Sequence, residues 1–196
     1  MALPARLTLA TRNPGKIREI LEICADWPVR WALEEAPAPY VEETGETYLE
    51  NARAKAHAAA TLWDLPALAD DSGIEVDALG GAPGVHSAVF AGPDASDQEN
   101  LDLLIGRIRS VPESERTARY RCIAVCAWPD GRERWTEATS EGRLILEPRG
   151  SGGFGYDPIF VPEGERVTMA ELPADRKNGI SHRGRAFRAL RRVLEE

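Results

Sequence analysis

The stretch Leu68-Ala69-Asp70-Asp71-Ser72-Gly73 decides the fold, because an apolar run ends there in two carboxylates, a hydroxyl and a glycine. The run over 65–69 predicts a buried strand, and open α/β sheets bind ligands where such strands end. Neighbouring side chains of a strand point to opposite faces, so we expect Asp71, with Ser72 beside it, to face a ligand. Carboxylates at this point indicate a site for a hard metal ion. The alternative is an Asp-Ser-Gly turn with solvated acids.

Length, charge and hydropathy limit the class of protein. The 196 residues allow one substantial core and contain no low-complexity linker, so we expect a single domain over 1–196, with a two-lobed domain as the alternative. The 24 Lys and Arg against 32 Asp and Glu give a net charge of -8, which opposes binding to a nucleic acid polymer. No apolar run approaches the ~20 residues that span a bilayer, and no signal-peptide pattern is present. We therefore expect a soluble, cytoplasmic protein without a membrane partner.

The three cysteines indicate core packing rather than chemistry. Cys24 lies on the apolar stripe of a predicted helix, and four residues of strand separate Cys122 from Cys126 by ~13 Å, too far for a disulfide. Buried free thiols fit a reducing compartment.

A polar loop, Thr11-Arg12-Asn13-Pro14-Gly15-Lys16, separates a predicted strand over 6–10 from an amphipathic helix that begins at Ile17. The free N–H groups at the start of a helix, the helix dipole and the charge of Lys16 favour phosphate binding. The glycine spacing of a Walker loop is missing. An ordinary turn between strand and helix is the alternative.

An acidic loop precedes the second predicted helix. Thr47 and Glu50 match a capping box and predict a helix over 48–63. Glu43, just before this helix, is either a second metal ligand or a favourable partner of the helix N-terminus.

Local signals predict the remaining elements. Ser96 or Asp97 caps a third helix. The other predicted strands cover 29–33, 74–79, 119–128, 132–139 and 143–146, with 119–128 and 132–139 forming a hairpin.

The stretch 150–158, Gly-Ser-Gly-Gly-Phe-Gly-Tyr-Asp-Pro, is a second candidate site. Its four glycines let the backbone approach a ligand closely, and Phe154 and Tyr156 offer flat surfaces to a base. This combination fits a nucleotide. The alternative is a tight loop whose aromatic rings pack into the core.

The start of the C-terminal helix breaks a local rule. Ser181 is a good N-cap, yet His182, Arg183 and Arg185 place cations where the helix dipole disfavours them. Such violations tend to be functional, which indicates an anionic or carbonyl-bearing ligand nearby.

Six blocks spread over nearly the whole chain together resemble the inosine/xanthosine triphosphate pyrophosphatase family, the HAM1-like proteins. The blocks are Thr11-x-Asn13-x-x-Lys16, Glu42-Glu43-Thr44-Gly45 with Glu50-Asn51-Ala52, Ala69-Asp70-Asp71-Ser72-Gly73, Gly80-Gly81-Ala82-Pro83-Gly84, Gly152-Gly153-Phe154-Gly155-Tyr156-Asp157-Pro158 and Ser181-His182-Arg183. The resemblance implies an α/β fold with a long, curved mixed β-sheet flanked by helices, in two lobes with a central nucleotide cleft. It also implies a Mg²⁺-dependent homodimer that hydrolyses non-standard purine nucleoside triphosphates (ITP, dITP, XTP) to the monophosphate and pyrophosphate.

The resemblance also assigns roles to residues, position by position. Asp71 resembles the general base and a metal ligand, and Glu43 a second metal ligand. The residues similar to the phosphate-binding set are Thr11, Arg12, Asn13, Pro14, Gly15, Lys16, Ser72 and Lys177. Those similar to the base-binding set are Phe154, Gly155, Tyr156, Asp157, His182 and Arg183. N–H donors of the last two would pair with the 6-oxo group of hypoxanthine or xanthine and reject adenine.

Two positions depart from the family pattern. Val89 follows Ser87-Ala88 where the family often has a basic residue, and Arg12 stands where glycine is common.

Two other functions stay open. A related, Maf-like pyrophosphatase acting on modified pyrimidine or methylated nucleotides would share the phosphate and metal residues. A nucleotide-binding module without turnover would use the carboxylates only to hold metal.

Overall fold

The computed structural model describes residues 3–196. Its strands are β1 (Arg6–Leu9), β2 (Arg30–Trp31), β3 (Ala67–Val76), β4 (Thr117–Ala127), β5 (Glu133–Leu144) and β6 (Phe160–Pro162). Within the described range these six strands form one sheet in the order β2-β1-β3-β4-β5-β6. β1 pairs in parallel with β2 and β3, whereas β5 and β6 are antiparallel, so the sheet is mixed, as the resemblance implies.

The helices follow the local signals of the sequence. Over the described residues, the α-helices are α1 (Pro14–Ile23), α2 (Tyr48–Trp63), α3 (Asp97–Ile108), α4 (Ala174–Ile180) and α5 (His182–Glu195). α2 has the predicted bounds and the predicted capping box. α1 begins three residues before the predicted Ile17, because the side chain of Asn13 caps it by accepting a hydrogen bond from the N–H of Lys16. α4 was not predicted, since seven residues are too few to show helical periodicity.

The carboxylate pair lies inside a strand rather than at its end. β3 runs without a break over Ala67–Val76, so the prediction of two separate strands over 65–69 and 74–79 was wrong. Its parallel neighbour β1 ends at Leu9, opposite Leu68, so the two aspartates lie beyond the carboxyl end of β1. β3 continues past this point because it is also hydrogen-bonded to β4, its other neighbour in the sheet, which spans 11 residues. The edge at which α/β sheets bind ligands is therefore formed here by the end of β1.

The predicted hairpin is confirmed. β4 and β5 are neighbours in the sheet and are joined by a tight turn, in which the N–H of Trp128 donates to the carbonyl of Arg132. β5 continues to Leu144, so the prediction of a separate strand over 143–146 was wrong. The three-residue β6 was not predicted, because it is too short to show alternation.

The described chain forms two compact units. The first consists of the chain up to Asp71 together with Cys122–Ala138 and Arg183–Glu196. Its core packs α1 and α5 against β1, β3 and β4 through buried apolar side chains, among them Ile20 and Phe187. Helices thus cover the strands of this unit.

The second unit consists of Ser72–Arg121 and Thr139–His182. Its core joins α3 to the strands through buried side chains such as Leu104 and Phe160, and it includes the ring of Tyr156. The single domain expected over the chain stays a prediction.

The cysteines of the described chain are buried and form no disulfide, as predicted. Burial raises the pKa of Cys126 to about 12, and burial also raises the pKa of Cys24 and of Cys122, so the thiols stay protonated. Among residues 3–196, no helix is long and apolar enough to cross a membrane.

Candidate active site

β3 turns its two aspartates to opposite faces, as the strand pattern predicts. Asp71 accepts hydrogen bonds from Asn51 Nδ2 at 3.3 Å and from Lys55 Nζ at 3.1 Å, both on α2. Asp70 accepts a hydrogen bond from Arg183 Nη2 at 3.1 Å on α5. Both aspartates are buried, with 0% and 4% of their surface exposed. Because a buried charge is costly unless it is paired, each carboxylate is matched by a cation from a different helix.

The two predicted metal ligands converge on one ammonium group. Lys55 Nζ donates to Glu43 Oε1 at 2.8 Å and to Asp71 Oδ1 at 3.1 Å. Oxygen donors arranged in this way fit Mg²⁺, which proteins hold through one or two carboxylates while water and phosphate complete the shell. In the part of the chain that the structure describes, no three His, Cys, Asp or Glu side chains are grouped to hold a metal by themselves. Glu43 and Asp71 alone would leave most positions of a Mg²⁺ shell to other ligands.

Asn51 and Lys55 are site residues that the sequence analysis did not assign. They lie four residues apart on α2, so one face of the helix carries both of them to Asp71. Asn51 Oδ1 also accepts a hydrogen bond from the N–H of Gly45 at 2.8 Å, which holds the acidic loop against the helix. The available signal was a pair of polar residues at helical spacing on a face otherwise lined by buried alanines.

The two aspartates differ in their affinity for protons. Burial raises the pKa of Asp71, the ammonium groups of Lys55 and Lys16 lower it, and neighbouring carboxylates raise it, so that the net pKa lies above its ordinary value. Burial also raises the pKa of Asp70, but Lys16 and Arg183 outweigh it and hold the pKa well below its ordinary value. Asp71 is therefore the better proton acceptor, and Asp70 remains ionised.

The predicted phosphate loop forms the start of α1. Thr11 Oγ1 accepts a hydrogen bond from the N–H of Asn13 at 3.3 Å, and Asn13 Oδ1 accepts one from the N–H of Lys16 at 3.0 Å. Lys16 Nζ lies 3.4 Å from Asp70 Oδ2. In this loop Arg12, Asn13 and Pro14 are exposed, Thr11 and Lys16 are half-buried, and Gly15 is buried. The first unit thus brings this loop together with the carboxylate pair.

Arg183 belongs to a buried ion-pair network of the first unit. Its Nη1 donates to Glu19 Oε2 at 2.5 Å and its Nη2 to Asp70 Oδ2 at 3.1 Å. Burial lowers the pKa of Arg183, but Asp70 and Glu19 outweigh it and hold the pKa above its ordinary value. The cation at the start of α5 is therefore matched by two carboxylates of the chain itself. Its expected contact with the base stays a prediction.

Asp157 organises the glycine-rich loop of the second unit. Its Oδ2 accepts hydrogen bonds from the N–H of Phe154 at 2.9 Å and from Lys177 Nζ at 2.5 Å. Lys177 Nζ also lies 5.5 Å from the centroid of the Phe154 ring, within cation–π distance. Gly155, with φ of +60°, provides the left-handed turn that follows Phe154. Lys177, expected in the phosphate-binding set, thus packs against residues of the expected base-binding set.

The rings of Tyr156 and His182 are buried. The Tyr156 hydroxyl donates to the carbonyl of Ser87 at 2.7 Å, and its ring is part of the core of the second unit. The His182 ring stacks on Tyr120 with centroids 4.6 Å apart and planes 8° apart. The alternative interpretation of the glycine-rich loop, in which its aromatic rings pack into the core, therefore holds for Tyr156. The Phe154 ring is only half-buried. Ser72, also half-buried, follows Asp71 in β3.

Nearly the whole chain matches one protein family. The sequence profile of the Ham1 family matches residues 7–193. The chain belongs to the Ham1 family. Its relatives include a protein of Streptomyces coelicolor named dITP/XTP pyrophosphatase, 53% identical over 195 residues that cover 97% of this chain and 98% of the relative. A Geobacter sulfurreducens protein of the same name is 50% identical over 189 residues, which cover 95% of this chain and 94% of the relative.

A solved Ham1 structure has the same fold. The HAM1 protein from Coxiella burnetii is 38% identical and superposes with a TM-score of 0.86, covering 99% of this chain and 98% of that chain. All six sequence blocks lie inside the region that the Ham1 profile matches. The α/β fold and the family resemblance inferred from the sequence are thereby confirmed.

Proposed function

We propose that this chain hydrolyses the triphosphates of deaminated purine nucleosides, namely ITP, dITP and XTP, to the monophosphate and pyrophosphate. The observation that carries the proposal is the convergence of Glu43 and Asp71 on the ammonium of Lys55. The name shared by the Streptomyces and Geobacter relatives supports the substrate class and does not favour a pyrimidine substrate or a module without turnover. Such an activity removes deaminated bases from the nucleotide pool.

Several groups of the first unit handle the triphosphate in this proposal. Lys16, Lys55 and the N–H groups at the start of α1 offset the negative charge that repels an attacking water. An ammonium has three donors, so Lys55 can serve a phosphate oxygen besides its carboxylate partners. A divalent cation, Mg²⁺ in this proposal, would be held by Glu43 and Asp71 and would neutralise further phosphate charge.

Asp71 acts as the general base in this proposal. Burial raises the pKa of this carboxylate, and a divalent cation, when bound, would supply a more acidic water for it to deprotonate. Asn51 and Lys55 hold it in a fixed orientation through two hydrogen bonds. As Asp71 takes the proton, the water oxygen bonds to the α-phosphorus, the bond from that phosphorus to the bridging oxygen breaks, and pyrophosphate leaves with that oxygen.

Recognition of the base uses the donor pattern of the purine. Hypoxanthine and xanthine carry an acceptor oxygen at the 6-position, where adenine carries a donor. N–H groups of His182 and Arg183 would pair with that oxygen and would face another donor in adenine. A site that depends on such pairing discriminates by about 10⁴-fold or more. Phe154, the more exposed loop aromatic, offers its ring to the base.

The proposal includes an assembly and a location. We expect a homodimer, as the family resemblance implies, and sedimentation velocity of the purified chain tests it. A cytoplasmic location also stays a prediction, and the free cysteines fit a reducing compartment.

Product analysis tests the proposed reaction. Wild type, Asp71→Asn and the exposed control Asp94→Asn are incubated with Mg²⁺ and inosine, xanthosine, guanosine or thymidine triphosphate. We expect monophosphate and pyrophosphate from the inosine and xanthosine substrates with wild type and Asp94→Asn, and a loss of at least about 10²-fold with Asp71→Asn. A marked preference for thymidine triphosphate would contradict the substrate class. No turnover by any variant would favour a binding module.

A further inference from the structure

The glycine-rich loop is held by a carboxylate from a distant part of the chain. The N–H of Gly155 donates to Asp97 Oδ2 at 3.0 Å, across a separation of 58 residues. Asp97 is the first residue of α3 and lies outside all six sequence blocks. Nothing in the sequence pattern connects it with the loop.

The start of α3 is a rigid support for this carboxylate. Ser96 and Glu99 form a capping box, each side chain accepting a hydrogen bond from the backbone N–H of the other residue. Asn100, in the same turn, accepts from the N–H of Ala91 at 2.8 Å and donates to the carbonyl of Ala88 at 3.1 Å. The first turn of α3 is thus fixed to the segment 88–91 independently of its contact with the loop.

The loop is fixed to the same part of the second unit by a second contact. The Tyr156 hydroxyl donates to the carbonyl of Ser87, which lies next to the segment that Asn100 holds. α3, the segment around Ser87 and the loop therefore form a closed ring of hydrogen bonds. Asp97 and Tyr156 are the two members that hold the loop in this ring.

Two carboxylates fix consecutive peptide groups of the loop. Asp157 accepts from the N–H of Phe154, and Asp97 accepts from the N–H of Gly155. A glycine tolerates many backbone conformations, so a glycine-rich segment needs such anchors to keep one of them. The bond from Gly155 fixes the peptide plane that joins it to Phe154 and thereby restricts the backbone that carries the Phe154 ring.

We propose that Asp97 is a positioning residue for recognition of the base, acting through the Phe154–Gly155 peptide. The inference rests on the proposed function, in which Phe154 faces the purine. Asp97 itself does not touch the substrate. Its loss weakens binding of the nucleoside part and leaves binding of the phosphate tail unchanged, because Asp97 holds neither Lys16 nor Lys55, the ammonium groups proposed to bind the tail.

Steady-state kinetics with a base-free competitor tests this assignment. Asp97→Ala and Asp97→Asn are compared with wild type and with Asp102→Asn, which removes a carboxylate that contacts Gln98 on the same helix. KM for ITP and the inhibition constant of inorganic triphosphate are measured for each. We expect KM to rise about tenfold in Asp97→Ala and less in Asp97→Asn, which keeps an acceptor oxygen. We expect kcat, the inhibition constant and all values of Asp102→Asn to stay within about twofold of wild type.

Two results would overturn the assignment. One is an unchanged KM in Asp97→Ala, and the other is an inhibition constant for inorganic triphosphate that rises in parallel with KM. Calorimetric binding of inosine monophosphate repeats the comparison without turnover. A wild type that binds inosine monophosphate but releases no pyrophosphate would refute the proposed function alone, and the binding constants of the Asp97 variants would still decide the role of Asp97.

Discussion

The ammonium of Lys55 lies 3.1 Å from the carboxylate of Asp71, and both residues are buried. This contact lowers the pKa of Asp71, opposing the effect of burial. Lys55 therefore affects both the protonation of the proposed base and the positive charge available to the triphosphate. Lys16 contacts the other aspartate, Asp70, at 3.4 Å, so removal of Lys55 separates these effects from those of Lys16.

Lys55→Met should impair catalysis and shift its pH dependence. Loss of the ammonium removes one group that stabilises phosphate charge, so we expect kcat/KM for ITP to fall by about 10²-fold. The pKa of Asp71 should rise further, so the acid limb of the rate profile moves to higher pH. A pH–rate profile of wild type, Lys55→Met and the exposed control Arg109→Met measures both effects. An unchanged acid limb in Lys55→Met would contradict the coupling.

Arg183→Leu should destabilise the first unit. The substitution leaves the carboxylates of Glu19 and Asp70 buried without their shared guanidinium, which costs about 3–5 kcal/mol in comparable buried pairs. Urea unfolding measures the change in the free energy of unfolding. Arg191→Leu on the same helix is the control, since its ion pairs are exposed and contribute little to stability. Equal losses in the two variants would refute the buried network.

Gly153→Ala should disturb the glycine-rich loop more than Gly155→Ala. Both glycines have positive φ, +71° and +60°, so each alanine carries a backbone cost of about 1 kcal/mol. At position 153 a Cβ would also lie 2.6 Å from Lys177 Nζ and would collide with Asp157, whereas at position 155 it would meet open space. We expect a larger loss in the free energy of unfolding and a larger KM for ITP in Gly153→Ala. The prediction fails if the two variants are indistinguishable.

Glu133 should contribute stability that depends on pH. Partial burial raises the pKa of Glu133, but hydrogen bonds from His57 and Arg53 outweigh it and lower the pKa. A carboxyl with a lowered folded-state pKa stabilises the fold above its unfolded-state pKa of about 4.3 and loses that effect as the pH falls through the folded value. The difference in unfolding free energy between wild type and Glu133→Gln should therefore be constant above about pH 5 and shrink toward about pH 3. Glu34→Gln, at an exposed position, is the control and should differ little from wild type at any pH.

The structural features that depend on residues close together in the sequence could be predicted from local signals. The capping box set the start of α2, and strand alternation placed Asp70 and Asp71 on opposite faces. These features follow from spacings of one to four residues, which a single sequence displays directly.

Pairings between distant residues could not be predicted in the same way. Lys55 meets Asp71 across 16 residues and Arg183 meets Asp70 across 113, and no local pattern shows which distant residue each cation contacts. The break predicted in β3 has a related cause, because its continuation depends on β4, which lies far along the chain. The position of Lys177 beside Asp157 was missed for the same reason.

In the proposed reaction, water attacks the α-phosphorus of a purine triphosphate and Asp71 takes its proton. Hydrolysis of ITP in water enriched in heavy oxygen, followed by mass spectrometry of the products, tests it most directly. Attack at the α-phosphorus puts the label in inosine monophosphate and none in pyrophosphate, and we expect Asp71→Asn to incorporate the label far more slowly. Label in released orthophosphate, with inosine diphosphate as the other product, would contradict it.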